Sequence, residues 1–235
     1  MRLYERSLFL SLSNPFSMKQ TLSEENYLKT IFHIGRQGQD KASATTIAEA
    51  LGNNPASVID MIKKLVEKKL IQYDKTRGAK LTEKGLKAAL LIVRKHRLWE
   101  VFLHDKLGYH WDEIHEMAEQ LEHIQHDDLA DRLDKFLGFP EYDPHGDPIP
   151  NSDGQMPRIP KKTLAEIDPG KTCQVLGVKD TSTAFLQYLL QLNIGIGTKL
   201  KVKSKIEFDG SMNLTIGKDT EVSVSKKFVE SILVA

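Results

Sequence analysis

Metal-binding side chains recur at helical spacing near the middle of this 235-residue chain. They stand at i, i+4, i+7 and i+8, and are His115, Glu119, Glu122 and His123. At about 100° per residue, they fall within a stripe roughly 100° wide on one face of a helix. Imidazole nitrogens and carboxylate oxygens together suit a divalent first-row metal ion. The spacing therefore predicts a metal site on this helix.

An earlier predicted helix carries a second pair of such groups. His96 and Glu100 stand at i and i+4, so both side chains face the same way. Two facing helices could close a shell of about four to six ligands around one metal ion. Seven of the eight histidines lie between His96 and His145. This density favours a metal centre, although the spacing alone leaves a solvated polar helix open.

The charge of the chain is segregated, although its net value is only +1. Residues 63–97 contain twelve Lys or Arg against three acids, and residues 112–147 contain twelve acids against two bases. A basic surface suits a polyanion and an acidic surface suits cations, so the pattern predicts a separate function for each. Two solvated helical faces are the alternative interpretation.

The composition is that of an ordinary globular protein, with 40% hydrophobic and 28% charged residues. Cys173 is the single cysteine and cannot form an internal disulfide, and no apolar run approaches the roughly 18 residues of a membrane span. We therefore expect a cytoplasmic protein that does not contact a membrane. Residues 1–17 contain the short apolar stretch Leu8–Leu12 but no typical cleavage site. A loose tail, or a true start at Met18, is expected rather than a signal peptide.

The segment upstream of these ligands has the pattern of a winged helix. Apolar periodicity and capping residues predict helices over Ser23–Gly35, with Ser23 as N-cap, over Ala44–Leu51 and over Pro55–Lys69. Two short strands, Leu70–Tyr73 and Ala79–Thr82, flank a basic turn. We expect a helix-turn-helix followed by a two-stranded wing.

The rest of the chain changes from helical to strand-like patterning. The predicted helices are Glu83–Leu107, Trp111–His123 and Asp127–Leu137. Gly138–Pro160 is rich in Pro and Gly and predicts a linker. From about Thr163 onward, alternating Val, Leu and Ile with frequent Gly predict a small β-barrel that contains one helix, Thr181–Gln191. The expected fold class is mainly α with a C-terminal β-barrel.

The third helix and the wing carry the candidate DNA-binding residues. A recognition helix presents its N-terminal outward residues to base edges, whereas Lys and Arg at phosphates give affinity without sequence information. The candidates are Ala56, Ser57, Asp60, Lys63 and Lys64 on the helix, and Lys75 and Arg77 on the wing. A winged helix used only for protein contacts is the alternative.

Three separated motifs resemble one known family. They are Arg94-Lys95-His96-Arg97-Leu98-x-Glu100, His115-Glu-x-x-Glu119-x-x-Glu122-His123 and Pro144-His145-Gly146-x-Pro148-Ile149-Pro150. From about Met18 onward, the chain resembles the diphtheria-toxin-repressor family of iron- and manganese-dependent bacterial transcription repressors. The resemblance implies five segments: a tail (1–17), a winged-helix DNA-binding domain (18–88), a helical metal-binding and dimerisation domain (89–140), a linker (141–162) and a FeoA-like small β-barrel (163–235).

The resemblance also implies a primary metal site. Its ligands would be His96, Glu119, Glu122, His123 and, on the first helix, Asn26. Iron-sensing members typically have Met and Cys at the positions of Asn26 and Glu119, whereas manganese-sensing members have Asp and Glu. A carboxylate in place of a thiolate hardens the site, so Mn²⁺ is favoured over Fe²⁺. Other divalent transition metals can substitute in vitro.

An ancillary site is implied beside the primary one. Its ligands would be Glu100, His115, Asp143, His145 and, from the barrel, Asp180. Lys29 stands where a two-metal manganese variant of the family has an acid, which argues against that variant here. The remaining histidines are expected to pack or to lie at the surface: His33, His104, His110 and His126.

The function that the resemblance implies is repression of metal-homeostasis genes by a metal-bound homodimer. Its partner would be double-stranded DNA with a palindromic operator, with no catalytic residue and no small-molecule substrate. An iron-specific repressor is an alternative of the same class. A metallohydrolase and a metal-storage module are alternatives from other classes. Against the hydrolase, Glu122-His123 lacks the second histidine of an H-E-x-x-H motif.

Overall fold

The structure is a computed structural model that describes residues 20–36, 42–126, 128–157, 162–217 and 220–235. The expected N-terminal tail, residues 1–17, and the alternative start at Met18 lie outside the described residues. The described part consists of a helical portion up to Leu137 and a C-terminal portion built on a β-sheet. Among the described residues, no helix has both the length and the apolar composition that a membrane crossing requires.

The first helix, α1, spans Leu22–Arg36. The hydroxyl of Thr21 accepts a hydrogen bond from the backbone N–H of Glu24 at 3.3 Å, and the Glu24 carboxylate accepts one from the N–H of Thr21 at 3.1 Å. This reciprocal capping box satisfies two backbone donors at the helix start. The prediction of Ser23 as the N-cap was therefore wrong, because Thr21 has the glutamate three positions later that completes the box.

Helices α2 (Ala44–Leu51) and α3 (Pro55–Glu67) form the predicted helix-turn-helix. The side chains of Ser43 and Asn54 accept backbone N–H groups at the two helix starts, which stabilises both. Gly52 ends α2 in the left-handed conformation, with φ +63°, as glycine does without a Cβ penalty. The turn between the helices is therefore defined by local sequence.

The wing consists of two antiparallel strands, β1 (Ile71–Asp74) and β2 (Gly78–Leu81). The long helix α4 (Glu83–Leu107) follows directly and is capped by the Thr82 hydroxyl. A Cβ atom at Gly85 would lie 1.8 Å from the carbonyl oxygen of Leu70. Glycine at this position therefore allows the start of α4 to approach the wing.

Helix α4 contributes to three separate buried clusters. Leu90 and Val93 pack with α1, α2 and α3 in the core of the N-terminal domain. Leu98 and Val101 pack with residues of the helical middle and the linker. Leu103 lies in the core that continues into the C-terminal sheet. The helix is therefore a common support for all three parts of the molecule.

Two short helices pack beside α4: α5 (Ile114–Leu121) and α6 (Leu129–Leu137). The predicted helix Trp111–His123 was too long at both ends. Glu122 and His123 lie in the turn that follows α5. Of the four predicted ligands, only His115 and Glu119 are therefore on the helix itself.

The C-terminal strands pair antiparallel in one six-stranded sheet of order β3-β8-β4-β5-β6-β7. The strands are β3 (Lys162–Thr163), β4 (Thr172–Val178), β5 (Lys199–Lys205), β6 (Met212–Ile216), β7 (Thr220–Val224) and β8 (Ile232–Val234). Helices α7 (Thr183–Gln191) and α8 (Lys226–Ser231) accompany the sheet. Leu186, Leu189 and Phe228 join its buried core.

The predicted closed barrel is not confirmed. Within the described residues, the end strands β3 and β7 each pair with one neighbour and not with each other, so the sheet is open. Its two register shifts lie between Val175 and Gly177 and between Val202 and Ser204. Such irregularities bend a strand, which gives a sheet curvature without closing it.

Candidate metal centre

His96 of α4 lies at the middle of a buried cluster of acids and histidines. Its Nδ1 is 2.6 Å from Oε2 of Glu122, and its Nε2 is 3.0 Å from Oε1 of Glu100. His96 and Glu100 lie one helical turn apart on the face of α4 that meets α5 and the turn after it. The imidazole therefore connects the two predicted sites.

The first group that could hold a metal comprises His96, Glu119 and Glu122, whose potential ligand atoms all lie within 4.8 Å of one another. Glu122 is fully buried and Glu119 is partly exposed. The ammonium of Lys29, on α1, lies 2.6 Å from Oε1 of Glu119 and 2.7 Å from Oε1 of Glu122. A positive charge from the chain thus neutralises part of this acidic group.

His123 also faces α1. Its Nδ1 is 2.6 Å from Oε2 of the buried Glu25, and its Nε2 is 3.7 Å from Oε1 of Glu122. A carboxylate that accepts the proton of Nδ1 leaves the lone pair of Nε2 directed to the other side of the ring. That lone pair is on the side of Glu122. The arrangement suits His123 as a ligand next to Glu122.

Asn26 lies between Glu25 and the lysine of α1, and its Oδ1 is buried without a hydrogen-bond partner among the described residues. A buried carbonyl oxygen is ordinarily paired, so an unpaired one requires an explanation. A metal ion bound by the neighbouring residues would be a suitable partner for a neutral oxygen. The donor set, two carboxylates, two imidazoles and this amide oxygen, fits a divalent ion of intermediate hardness.

Glu100 is the centre of the second and third groups. Its Oε1 lies 3.4 Å from Nδ1 of His115 and 3.6 Å from Nδ1 of His145. With His96 and His115 it forms one group of potential ligands, and with Asp143 and His145 it forms another, each within 4.8 Å. The predicted ancillary ligands on α4, on α5 and in the linker are therefore close together.

Tight backbone packing fixes the loop that carries Asp143 and His145. Oδ1 of Asp143 accepts hydrogen bonds from the backbone N–H groups of His145 and Asp147, both at 2.9 Å. Gly146 has φ +81°, and a Cβ there would lie 2.0 Å from the carbonyl oxygen of Leu176 in β4. Only glycine permits this approach, which presses His145 between the sheet and α4.

The Nε2 of His145 is held by a neighbouring backbone group. It lies 2.8 Å from the carbonyl oxygen of Trp111, and the two rings stack with centroids 6.3 Å apart. A carbonyl oxygen can only accept, so Nε2 carries a proton in this arrangement. Nδ1 is then the nitrogen that faces Glu100.

The pKa values show an excess of negative charge in the cluster. Burial alone would lower the pKa of His96, but the charge of Glu100 and hydrogen bonds to Glu100 and Glu122 raise it to about 9. Burial acts in the same way on His145, and Glu100 and Asp143 raise its pKa to about 9. Burial, with the charges of Glu100 and Asp147, raises the pKa of Asp143 to about 7. The nearby carboxylates thus favour the protonated, positively charged forms of the two imidazoles.

Other charged groups strengthen this conclusion. Burial opposes ionisation of Glu100, but His96 and its other histidine partners hold the pKa of that carboxyl well below its ordinary value. Burial likewise opposes ionisation of Glu119, but Lys29 lowers its pKa. A divalent cation would replace several of these separate positive charges with one.

One predicted ligand, Asp180, lies outside the cluster, as does His126, which was expected at the surface. The carboxylate of Asp180, the candidate from the C-terminal domain, accepts from the N–H of Ser182 at 3.0 Å and lies 3.7 Å from the ammonium of Lys227. His126 is exposed and pairs with Asp128 at 2.7 Å.

The other three histidines outside both sites also have ordinary surroundings. His104 and His110 are exposed, and His104 lies 2.8 Å from Asp105. His33 is half-buried, and burial with the nearby charges of Arg97 and Lys29 lowers its pKa to about 4. A neutral imidazole that packs between helices accounts for His33.

The sequence did not predict that Glu25 and Lys29 contact the ligands directly. Their contacts join α1 to residues 90 or more positions later, at Glu119, Glu122 and His123. Local periodicity carries no information about such pairs. The only sequence signal of Glu25 was its place beside Asn26, whereas Lys29 was noted only as standing where a two-metal manganese variant has an acid.

The candidate DNA-binding residues all lie at the surface of the winged helix. On α3, the ammonium of Lys63 pairs with Asp60 at 3.0 Å. In the wing, Oδ1 of Asp74 accepts from the N–H groups of Thr76 and Arg77, at 2.8 and 2.9 Å. This turn fixes the backbone of the tip and leaves the basic side chains in solvent.

Comparison with protein families matches three consecutive parts of the chain. Residues 19–79 match the N-terminal DNA-binding domain of iron-dependent repressors. Residues 82–151 match the metal binding and dimerisation domain of the same proteins, and residues 162–235 match the FeoA domain. The order of the three parts is the order expected from the sequence.

Curated relatives include two repressors by name. The diphtheria toxin repressor of Corynebacterium jeikeium is 34% identical over 143 residues, which are 61% of this chain and 59% of the relative. The iron-dependent repressor IdeR of Mycobacterium bovis is 36% identical over 126 residues, 54% of each protein. The chain thus spans a little over half the length of these relatives.

Solved structures are similar over nearly their whole length. A manganese-dependent transcriptional repressor in complex with manganese is 38% identical, with a TM-score of 0.81 over 90% of this chain and 98% of that chain. The manganese regulator SloR is 34% identical, with a TM-score of 0.72 over 90% of this chain and 97% of that chain. Both the helical part and the C-terminal sheet are therefore shared.

Proposed function

The chain belongs to the iron-dependent repressor family, and from this premise we propose that it is a metal-dependent transcriptional repressor of metal-homeostasis genes. Proteins of this family are repressors rather than enzymes. The observation that carries the proposal is the buried cluster of histidines and carboxylates around His96, which lies directly against α1 of the DNA-binding domain. The signal would be Mn²⁺ or Fe²⁺.

The primary site is proposed to use His96, Glu119, Glu122, His123 and Asn26. The contacts among the first four and the unpaired amide oxygen of Asn26 support this set. Its ligands are oxygen and nitrogen atoms, without thiolate, which favours Mn²⁺ over softer ions. The neighbours named for manganese and for iron leave both ions as candidates.

The ancillary site is proposed to use Glu100, His115, Asp143 and His145, with Asp180 as a further ligand. The short distances around Glu100 support the first four. Asp180 is tied to Ser182 and Lys227, so it would have to leave these partners to join.

A bound divalent ion supplies the positive charge that these carboxylates otherwise take from protons and from Lys29. The residues of the chain provide the coupling. Glu119 and Glu122 belong to the dimerisation part, and Asn26 belongs to the DNA-binding part. Ligation by both parts at once fixes α1, and with it the helix-turn-helix, relative to α4 and α5.

The DNA contacts are proposed to come from the exposed face of the winged helix. Ala56, Ser57 and Asp60 would face base edges, and the basic residues would contact phosphates: Lys63, Lys64, Lys75 and Arg77. In a homodimer, two such helices would read the two halves of a palindromic operator, about 34 Å apart along the duplex.

The dimer contact is proposed to involve an aromatic surface on α4 and α6. Phe136 and Phe139 are 64% and 65% exposed, and Leu107 is 56% exposed. The ring of Phe136 continues a row of aromatic contacts with Phe102 and Trp99. Clustered apolar side chains at the surface typically mark a contact with another chain.

We also propose domain limits of 18–88, 89–140 and 163–235, with a linker over 141–162, and a cytoplasmic location. The family comparisons place a FeoA domain at the C-terminal sheet. A repressor must also lie in the compartment that holds its DNA.

The test is binding of the purified protein to a labelled fragment of its own upstream DNA. Binding would be followed by fluorescence anisotropy at fixed salt and with competitor DNA, under anaerobic titration with Mn²⁺, Fe²⁺ or a chelator. We expect specific binding only with metal, and the ion effective at the lower concentration identifies the signal. Specific binding that is equally tight in chelator would contradict the proposal, as would metal-dependent hydrolysis without DNA binding.

A further inference from the structure

The primary cluster contains a cation that belongs to the chain itself. The side chain of Lys29 is only 10% exposed, and its ammonium lies within 2.7 Å of an oxygen atom of both Glu119 and Glu122. Glu122 is fully buried. Contacts of this length between charged groups are strong hydrogen bonds, particularly away from water. The ammonium is therefore held firmly rather than resting at the surface.

The oxygen atoms that hold Lys29 also face the other potential ligands: Oε1 of Glu119 lies 3.9 Å from Nδ1 of His96, and Oε1 of Glu122 lies 3.7 Å from Nε2 of His123. A carboxylate oxygen that accepts a short hydrogen bond offers less electron density to a second cation on the same side. Two positive charges at contact distance also repel each other strongly in a buried site. The lysine and a divalent ion therefore exclude each other at this position.

We propose that Lys29 is a built-in competitor of the metal ion, an inference that rests on the proposed function. In the metal-free protein its ammonium fills the primary site and ties α1 to the turn after α5. Metal binding is then an exchange: the ammonium leaves Glu119 and Glu122, and the ion takes their oxygens. The lysine sets the metal concentration at which the protein responds.

The same exchange reports metal occupancy to the DNA-binding domain. Lys29 is on α1, whose opposite face packs Leu28 and Ile31 into the core shared with α2 and α3. Loss of the lysine contacts removes one connection of α1 to the metal-binding domain. Ligation by Asn26 supplies another, at a position one helical turn earlier. The position of α1, and of the recognition helix that shares its buried core, then differs between the two states.

The loss of metal affinity caused by Lys29 depends on the fraction of molecules in which the ammonium has left the site. The apparent affinity of a ligand falls by the fraction of the protein that is competent to bind. If the ammonium occupies the site in 90 to 99% of molecules, its removal should tighten metal binding roughly ten- to hundredfold.

The first experiment compares Mn²⁺ affinity by isothermal titration calorimetry in three full-length proteins: wild type, Lys29→Met and Lys68→Met. Lys68 is a matched control, because it also pairs with a glutamate of α1, Glu24, at 2.6 Å, but outside the cluster. We expect Lys29→Met to bind Mn²⁺ at least about tenfold more tightly than wild type, and Lys68→Met to match wild type. Equal or weaker binding by Lys29→Met would overturn the competitor role. Absence of Mn²⁺ and Fe²⁺ binding in wild type would instead refute the proposed function itself.

A second measurement uses the wild-type protein and does not depend on a variant that folds. Amine-reactive labelling followed by mass spectrometry reports the accessibility of each lysine. Without metal, Lys29 should be protected; with saturating Mn²⁺, its labelling should increase several-fold, while that of Lys68 stays constant. Unchanged labelling of Lys29 on metal binding would show that the ammonium does not leave, and would overturn the exchange.

Discussion

At the scale of single residues, the contact between Glu25 and His123 decides which nitrogen can bind a metal. Glu25 lies 2.6 Å from Nδ1, so the proton is held there and Nε2 keeps its lone pair on the side of Glu122. An outer carboxylate of this kind fixes the tautomer and orientation of a ligating imidazole and raises its basicity. We therefore infer that Glu25 positions His123 for the proposed primary site.

Replacing Glu25 with Gln should weaken metal binding at the primary site by roughly ten- to hundredfold, as expected for loss of an outer-shell carboxylate. Calorimetric titration with Mn²⁺ measures the change. Glu24→Gln is the control, because Glu24 is an equally buried acid of α1 whose partner is Lys68. If both variants lose the same affinity, general loosening of α1 explains the effect. A retained affinity in Glu25→Gln contradicts the positioning role.

We predict that metal binding releases protons from the histidines of the cluster. The pKa of His96 and that of His145 are raised to about 9, so both carry an extra proton at pH 7 in the metal-free protein. Ligation requires the lone pair, and the affinity should therefore increase as the pH rises from 6 towards 9. Each proton released adds up to about tenfold in affinity per pH unit.

Calorimetry in buffers of different ionisation enthalpy counts these protons. His145→Gln should release about one proton fewer than wild type at pH 7. The exposed His104, which lies outside the cluster, provides the control: His104→Gln should release the same number as wild type. An affinity that is constant between pH 6 and 8 would contradict the raised pKa values.

At the scale of elements, local pattern predicted most of the helices but not how they meet. The bounds of α2, the start of α3 and the whole of α4 were predicted, and the caps that fix these starts, Ser43, Asn54 and Thr82, each act within one helical turn. The helical spacing of His115, Glu119 and Glu122 placed them on one face. The contacts of α1 with that face depend on packing between distant segments, so periodicity could not reveal Glu25 or Lys29 as neighbours.

The end of α5 was predicted wrongly, and closure of the barrel was not confirmed, for the same physical reason: both depend on packing between distant segments. Angular spacing extended α5 to His123, but the chain turns after Leu121 so that Glu122 faces His96 while His123 reaches α1. In the C-terminal domain, alternation of apolar residues predicted the strands. Alternation carries no information on whether the outer strands pair, and they do not pair within the described residues.

At the scale of elements, we predict that the wing contributes to DNA binding through its two basic side chains. Because Asp74 fixes the backbone of the tip, the Lys75 and Arg77 side chains are presented to a duplex at little entropic cost. Lys75→Ala with Arg77→Ala should weaken operator binding and reduce the salt dependence, with the slope of log K against log salt falling by about 2. Mn²⁺ affinity without DNA should not change.

Anisotropy titrations at several salt concentrations test this expectation. The control is Lys199→Ala with Lys201→Ala, which removes the same charge from exposed positions of the C-terminal sheet. An unchanged salt slope in the wing variant would place the wing outside the DNA contact. An equal reduction in the control would indicate a general effect of net charge.

At the scale of the whole molecule, the ancillary cluster is where the three parts of the chain converge. Glu100 comes from α4, and His145 comes from the linker that Gly146 presses against β4. Further along the linker, Ile149 joins the core with α4 and α6, and Met156 packs against the core of the DNA-binding domain. A change at Glu100 can therefore affect all three parts of the chain.

We predict that the aromatic surface of α6 joins two copies of the chain. Phe136→Asp places a charge in the aromatic surface of α6, where the wild-type ring is 64% exposed and contacts Phe102. Burial of a carboxylate without a partner in an interface is strongly unfavourable. The variant should be monomeric in sedimentation velocity, should keep its metal affinity, and should lose operator binding, because one recognition helix reads only half of a palindrome.

Phe208→Asp separates this effect from the removal of any exposed aromatic residue. Phe208 is 97% exposed in the turn between β5 and β6, at a distance in sequence from the proposed interface. This variant should remain dimeric and should bind DNA as wild type does. A dimeric Phe136→Asp protein would move the dimer contact to another surface. A monomer that still binds the whole operator with wild-type affinity would show that dimerisation is not what aligns the two reading helices, and the metal would then have to act within a single chain.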